Sequence, residues 1–297
     1  MKNPNILVPT DFSEPSKKAL RVASQWVRTF GGQVTPLHAY EAITDLDGFH
    51  FYGPHESVVG DLITVEKAIR RQLDESAGRE ADAESLQKGI VVMGHPARVI
   101  AQASADHDLV IIASHGRSGL SRFFLGSVTD KVIRLCPVPV LVVGNEAALL
   151  PLERILVPTD LSLNSESAFP LAREIADATG AVIELLYVRV CEDAEVVAAD
   201  ALEKRVRAFA GRHFEGTRGG IEVSAVVTGA SAHEEIYRWV QAKKCNLIVM
   251  ATAGKSGTDH VLLGSTPAQV VREVQAAVLL VNPEHYRGLK LAALEAG

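Results

Sequence analysis

Short apolar runs alternate with amphipathic segments along the chain, and each run has the length of a buried β-strand. After the run at residues 5–9, apolar residues recur every three to four positions from Ser16 to Phe30, which predicts a helix with one buried face. Strands that alternate with helices predict a parallel sheet covered on both faces. The other first-half strands are predicted at 33–39, 89–93, 109–113 and 138–143, and the other helices over 58–87, from Pro96 and over 127–135.

This pattern occurs twice. Residues 6–11 read ILVPTD, and so do residues 155–160. A second landmark follows in the same order, at residues 113–127 and again at 251–265, and two landmarks repeated in order indicate a duplicated domain. The second-half strands are predicted at 154–159, 182–188, 221–227, 246–251 and 277–281. We therefore predict two tandem doubly wound five-stranded parallel-sheet sandwiches of Rossmann-like topology, over residues 1–146 and 152–284, with a tail at 285–297.

Composition and charge exclude several classes of protein. Hydrophobic residues make up 47% and charged residues 22%, which is typical of globular proteins. The net charge of −6 disfavours nonspecific binding to nucleic acid or anionic membranes. No signal-peptide pattern and no apolar run of membrane-spanning length occur. The cysteines, Cys136, Cys191 and Cys245, are far apart and form no CxxC pair, so we expect a cytoplasmic protein without nucleic-acid or membrane partners.

The loops after strands one and four carry candidate chemistry. Doubly wound sheets bind ligands beyond the carboxyl ends of their strands, so Asp11 and Gly116 face one crevice if these strands are neighbours. The loop from Gly116 to Gly126 leads into a helix at Ser127, and a helix N-terminus offers unpaired N–H groups to an anion. With Arg117 adding charge, this arrangement indicates a polyphosphate site. Asp11 is a candidate ligand of a ribose hydroxyl, an adenine amine or a divalent ion.

Purely structural interpretations of these residues remain open. Gly126 and Ser127 can form only a turn and a helix cap, with Ser127 as a candidate cap, and Asp11 only an Asx turn. The segment 254–256 looks like the end of a P-loop, but that pattern needs a glycine at the position of Val249.

Histidines outside these loops have structural interpretations too. His38 is expected to be partly buried with its hydrogen bonds satisfied. One cluster suits zinc or else belongs to a solvated loop, and it comprises His50, His55, Asp45, Asp47 and Glu56.

The whole chain resembles the tandem universal stress proteins. The resemblance rests on VPTD at 8–11, VTPLH at 34–38, Gly94-His95-Pro96, and SHGRSGLSRFFLGSVTDKV followed by CPVPVLVV. It is specific in half one and looser in half two. The ATP-binding members carry Gly-x2-Gly-x9-Gly-(Ser/Thr), whereas Ala113 and Ala251 replace the first glycine here.

The resemblance implies ATP with Mg²⁺ as the ligand. In half one the base and ribose would lie near Pro9, Thr10, Asp11, Ala39 and Ile112, with Ala113 close to the nucleotide and the phosphates on Gly116, Arg117, Gly126, Ser127, Val128 and Thr129. The matching half-two residues are Pro158, Thr159, Asp160, Val188, Met250, Ala251, Gly254, Lys255, Gly264, Ser265 and Thr266. Because Pro267 replaces Thr129 and Ala253 replaces His115, half one is expected to be the better site.

Three functions remain open from the sequence. The first is a regulatory ATP-binding protein, which the resemblance links to stress tolerance, and the second is a protein-interaction module without ATP. The third is a slow ATPase, for which Asp11 and His115 are the half-one candidates; we do not expect an enzyme. The apolar fifth strands predict that the halves pair as an internal pseudo-dimer, and a homodimer of the whole chain is expected as well.

Overall fold

The computed structural model describes residues 1–41, 55–116, 125–144, 151–191, 199–254 and 263–284. Half one contains β1 (Asn5–Pro9), α1 (Glu14–Phe30), β2 (Gln33–Tyr40), α2 (His55–Glu80), β3 (Ile90–Met93), α3 (Pro96–Ser104), β4 (Leu109–Ala113), α4 (Ser127–Leu135) and β5 (Val140–Val143). Half two contains β6 (Arg154–Thr159), α5 (Leu163–Glu166), α6 (Phe169–Thr179), β7 (Val182–Val190), α7 (Ala199–Phe214), β8 (Ile221–Thr228), α8 (Ala232–Lys243), β9 (Leu247–Ala251), α9 (Ser265–Glu273) and β10 (Ala277–Val281).

The ten strands that the structure describes form one sheet, in the order β3-β2-β1-β4-β5-β10-β9-β6-β7-β8. Within each half every pairing is parallel, which confirms the doubly wound prediction. The two predicted sheets are not separate, however, because β5 pairs with β10 in antiparallel register, with Leu141 opposite Leu279. The predicted internal pairing of the halves is therefore present in the structure, and each fifth strand satisfies the open edge of the other.

The core continues across the boundary between the halves. Alternate residues of each strand point to opposite faces of the sheet, so Leu141 and Leu279 belong to one buried cluster and Val142 and Leu280 to the other. The first cluster includes Trp26 together with residues of half two. Because both clusters contain residues from both halves, the two sequence repeats share one core.

Local sequence explains both ends of α1 and the break in the helix that follows β6. The side chain of Ser13 caps α1 by accepting the N–H of Ser16, and Gly31 ends that helix at a φ of 75°. The helix after β6 is broken into α5 and α6, whereas α1 is continuous. Pro170 stands in the first turn of α6 and lacks the N–H that a continuous helix would require, and the matching residue of α1 is Arg21.

Several predicted bounds differ from the structure, and α1 begins at Glu14 and β7 ends at Val190, each two residues beyond its prediction. The predicted helix over 58–87 is His55–Glu80, and strand five begins at Val140 rather than at residue 138. The extra length of half one was expected in the loop at 44–60, most of which lies outside the described residues. The structure places much of this extra length in α2, which has 26 residues against 16 in α7. None of the helices that the structure describes is both long and apolar enough to cross a membrane.

A charged network ties together the amino ends of the half-two strands. The side chain of Glu184 on β7 is only 1% exposed, and Arg154 of β6 forms an ion pair with it. Lys243 Nζ lies 3.9 Å from Glu184 and 3.1 Å from Glu222, while Arg154 lies 3.2 Å from Glu222. Hydrogen bonds from Arg154 and Lys243 lower the pKa of Glu222 to about 2, whereas burial raises the pKa of Glu184.

We expect Arg154→Ala to lower the free energy of unfolding by about 3 kcal/mol, because it leaves the buried carboxylate of Glu184 with only the more distant Lys243. Half one has Asn5 and Thr35 at the matching positions. The double variant Arg154→Asn, Glu184→Thr should therefore be less destabilised than the single variant, since it buries no unpaired charge. Urea unfolding followed by circular dichroism measures both, and a double variant as unstable as Arg154→Ala would contradict this account.

Candidate functional site

A cleft lies at the carboxyl ends of the half-one strands. Because β1 and β4 are neighbours, the loops that follow them meet there, as the sequence predicted. The cavity has a volume of about 350 Å³. It is lined by Pro9, Thr10, Asp11, Ser16, Leu37, Ala39, Pro96, Ile100, Ile112, Ala113, His115, Gly116, Gly126, Ser127, Val128 and Thr129.

The cleft brings together every predicted half-one site residue that the structure describes. Arg117, and Lys255 in half two, lie outside the described residues. Sequence reasoning missed the apolar wall that α3 contributes through Pro96 and Ile100, although Gly94-His95-Pro96 had marked the start of this helix.

The turn after β1 is held by its own side chains. Asp11 Oδ1 accepts hydrogen bonds from the N–H of Ser13 at 3.1 Å and from its hydroxyl at 2.5 Å, which is the Asx turn allowed by the sequence. Thr10 Oγ1 lies 2.9 Å from the hydroxyl of Ser16 and accepts the N–H of Phe12 at 3.1 Å. These bonds fix the direction in which the Asp11 carboxylate enters the cleft.

Phe12 and His38 brace the same turn from outside. Phe12 has a left-handed φ of 67°, which is uncommon for a residue other than glycine, and its ring stacks on His38 with centroids 4.4 Å apart. The Nδ1 atom of His38 lies 2.8 Å from the carbonyl oxygen of Thr10. The structure therefore places His38 in the structural role expected from the sequence.

The turn after β6 in half two has the same hydrogen bonds between side chains and backbone. Asp160 Oδ1 accepts from the N–H and hydroxyl of Ser162, at 3.0 and 2.5 Å, and Thr159 Oγ1 lies 2.9 Å from the hydroxyl of Ser165. Leu161 occupies the left-handed position, with a φ of 60°. The shared pattern is Thr-Asp-x-Ser-x-x-Ser, at 10–16 and 159–165, so the repeated serines were a signal in the sequence that the shorter VPTD motif did not use.

The glycines of the second loop leave room for groups that pack closely against them, and neither has a backbone conformation that needs glycine. Gly126 donates its N–H to the carbonyl of Ser114 at 2.8 Å and so closes the loop at its base. A Cβ atom on Gly126 would lie 3.3 Å from the Cα of His115. A Cβ atom on Gly116 would collide with the carboxylate of Asp11, so these two predicted site residues are in direct contact.

The first turn of α4 faces the cleft, and its N-cap residue makes no capping hydrogen bond through a side chain. Gly126 is the N-cap residue, and Ser127 is the first residue inside the helix. The candidate capping role of Ser127 is therefore wrong, and its exposed hydroxyl stands at the mouth of the cleft. Because no side chain that the structure describes caps this turn, its N–H groups and the positive end of the helix dipole can face an anion.

Thr129 and Ala113 form an internal contact at the bottom of the cleft. The buried hydroxyl of Thr129 donates to the carbonyl oxygen of Ala113 at 2.9 Å, so a phosphate would meet the backbone N–H of Thr129 rather than its side chain. Ala113 is the last residue of β4 and pairs with Val143. A regular strand position does not need glycine, so the alanine costs the loop no backbone strain, and its methyl group lines the cleft.

The half-two site shares the framework but differs in detail. Gly264 closes its loop on the carbonyl of Thr252 at 2.8 Å, and a Cβ atom on Gly254 would collide with the carboxylate of Asp160. Pro267 stands in the place of Thr129 and cannot supply its hydroxyl. Of the other predicted residues, Pro158, Thr159, Met250 and Ala251 are buried, Val188, Gly264 and Thr266 are half-buried, and Ser265 is exposed.

The two sites lie at opposite ends of the strands, on either side of the sheet's hydrogen-bonded width. Since β5 and β10 are antiparallel, the carboxyl ends of the half-one strands lie where the half-two strands begin. A ligand in one cleft therefore cannot contact a ligand in the other. Within the described residues no cluster of three His, Cys, Asp or Glu side chains could hold a metal ion. The zinc-like cluster of the sequence lies outside this description, because residues 42–54 are not described and only the backbone of His55 and Glu56 is.

Comparisons with known proteins agree with this architecture. The Universal stress protein family matches residues 2–144 and again residues 151–282. A universal stress protein of Mycolicibacterium smegmatis is 25% identical over 299 residues, which cover 94% of this chain and 97% of that protein. One from Thermus aquaticus is 30% identical over 145 residues, which cover 46% of this chain and 96% of that protein.

A solved structure extends the likeness to the complete fold. The universal stress protein from Archaeoglobus fulgidus superposes with a TM-score of 0.63 at 22% identity, covering 95% of this chain and 97% of that one. With the double family match and the duplicated turn and glycine loop, the conclusion is that the chain belongs to the universal stress protein family and carries two of its domains in tandem.

Proposed function

We propose that the protein is a stress-response regulator that binds ATP with Mg²⁺, and that the half-one cleft is its principal site. The observation that carries the proposal is the polarity of this cleft. Apolar side chains line one end, and the glycine loop with the uncapped start of α4 forms the other. A nucleotide has the same division, since its base is flat and largely apolar and its phosphates are anionic.

The apolar end suits a purine ring. Leu37 and Ala39 of β2 and Ile112 of β4 form its floor, and Pro96 and Ile100 of α3 form one wall. Concave, mostly apolar sites with a few converging polar groups are the usual form of small-molecule sites. The predicted base contacts, Ala39 and Ile112, both lie here.

The polar end suits phosphates together with a divalent cation. The N–H groups at the start of α4 attract anions, and Gly116 and Gly126 leave room for close approach. The carboxylate of Asp11 contacts Gly116, so a bound triphosphate would meet a negative charge there. A Mg²⁺ ion between Asp11 and the phosphates would offset this repulsion, because carboxylate and phosphate oxygens are its preferred ligands.

The family pattern supports binding more strongly than hydrolysis. ATP-binding members carry a glycine loop that occurs twice in this chain. Both copies here have alanine in place of the first glycine. The two candidate catalytic groups both take part in local contacts, since Asp11 accepts from Ser13 and His115 Nδ1 lies 2.9 Å from the hydroxyl of Ser114. Half two is proposed as a weaker site. A cytoplasmic location and a homodimer stay predictions from the sequence.

We expect Ala39→Trp to weaken ATP binding by at least about tenfold, because the indole would occupy the apolar end of the half-one cleft. Val188→Trp makes the matching change in half two and should leave the strong site intact. Titration calorimetry with Mg²⁺, on protein freed of nucleotide by denaturation and refolding, gives both affinity and stoichiometry. If Val188→Trp instead removes the strong site, half two is the principal site. If the native protein binds no ATP, the interaction-module alternative is favoured.

Asp11→Asn separates the charge of this residue from its role in the turn. The asparagine oxygen can still accept both hydrogen bonds from Ser13, so the fold should be unchanged. We expect ATP affinity to fall by about tenfold with Mg²⁺, because the ion loses a carboxylate ligand, and to rise with EDTA, because the repulsion between the carboxylate and the triphosphate is removed. Asp160→Asn is the matched control. Equal losses with and without Mg²⁺ would contradict a metal-mediated role and assign Asp11 to the ribose instead.

A further inference from the structure

The half-one cleft continues past the first turn of α4 into a second space. This adjoining chamber has a volume of about 350 Å³ and shares Pro96, Ser127 and Val128 with the cleft. Its other lining residues are Glu41, His95 and Lys131. Because the phosphates are expected on Ser127 and Val128, the chamber adjoins the phosphate end of the proposed site.

The place of Lys131 on α4 brings its side chain to this boundary. Lys131 follows Ser127 by four residues, so the two side chains lie on one side of the helix. A long side chain on a helix extends over the turn that precedes it, which directs Lys131 toward the first turn of α4. Lys131 is exposed, and its Nζ lies 3.5 Å from Nε2 of His95, the N-cap residue of α3. Its positive charge is therefore held between the starts of two helices.

The other polar residues of the chamber leave this ammonium open to an anion. An ammonium can only donate, so Nε2 of His95 is the acceptor in their contact and takes up one of three N–H groups. Glu41 also lines the chamber, but it follows β2, whereas Lys131 lies on the same helix as Ser127. A phosphate on the first turn of α4 therefore has Lys131 one helical turn away.

The half-two sequence lacks this cation. Gln269 occupies on α9 the position that Lys131 has on α4, and the N-cap residue of α8 is Ser231 where α3 has His95. The hydroxyl of Ser231 is engaged in capping α8, since it accepts the N–H of Glu234. The lysine is therefore specific to half one, whereas the glycine loop occurs in both halves.

We infer that Lys131 binds the terminal phosphate of the nucleotide, so that the half-one cleft selects for the length of the phosphate chain. The inference rests on the proposed function, which places the phosphates on the first turn of α4. A triphosphate continues from that turn past Ser127 into the chamber, where its end meets the ammonium. A monophosphate ends before the chamber and gains nothing from Lys131. Lysine suits this role, because its ammonium is a point charge on a flexible stem that can follow the end of a chain.

The test compares ATP with AMP, which has the same base and ribose. Calorimetry with Mg²⁺ in a Val188→Trp background restricts the measurement to half one, and AMP is measured by its displacement of ATP, which also gives weak affinities. We expect Lys131→Gln, which installs the half-two residue, to weaken ATP binding about tenfold and AMP binding less than about twofold, because a charge-assisted contact is lost only with the longer chain. Lys131→Arg keeps the charge and should weaken ATP binding less than about threefold.

A control variant separates a direct phosphate contact from general electrostatics. Lys88→Gln removes the same charge from an exposed position just before β3, at the amino ends of the half-one strands, and should leave both affinities unchanged. Equal losses of ATP and AMP affinity in Lys131→Gln, or no loss of either, would overturn the inference and leave the proposed function standing. Failure of the unmodified protein to bind ATP would overturn both.

Discussion

The antiparallel pairing of β5 with β10 is the contact on which the arrangement of the whole molecule depends. Each of these strands is short and buried on both faces, and each would leave an apolar, unpaired edge if its half stood alone. Joined through Leu141 and Leu279, they turn two five-stranded sheets into one and merge the residues on each face into a continuous cluster. The same pairing fixes the two clefts at opposite ends of the strands.

Hydrogen bonds connect the glycine loop of each half to the strands at the boundary between the halves. The N–H of Ser114 donates to the carbonyl of Val143 at the end of β5, and the N–H of Thr252 donates to that of Val281 at the end of β10. Each glycine loop is thus hydrogen-bonded to the strand that forms the boundary between the halves. The loops are also tied to the turn after the first strand of their half, since Gly116 contacts Asp11 and Gly254 contacts Asp160. The site framework and the domain boundary are therefore one connected structure.

The sequence predicted the elements and the cleft, because both depend on local periodicity and on a repeated order of motifs. Runs of apolar residues located all ten strands to within two residues at each end, and the two loops meet because parallel strands end at one edge. Pro170 also indicated the break between α5 and α6, but the prediction from the sequence did not include this break. Other features depend on contacts between distant residues. The buried pairing of Arg154 with Glu184 and the bond from Thr129 to Ala113 join residues 30 and 16 positions apart, which no local pattern reveals.

The two copies have diverged at opposite ends of their strands. At the carboxyl ends, half one has Thr129 and His115 in the lining of its cleft, where half two has Pro267 and Ala253. At the amino ends the contrast is reversed, since half two carries the ion pairs of Glu184 where half one has neutral side chains. Buried ion pairs are costly to desolvate and add little net stability, but they require a single arrangement of the strands that bear them. Half two thus carries charged groups that define its own packing, whereas half one carries polar groups at its cleft. Because the copies share one core, the cleft of half one can depend on the rigidity of both.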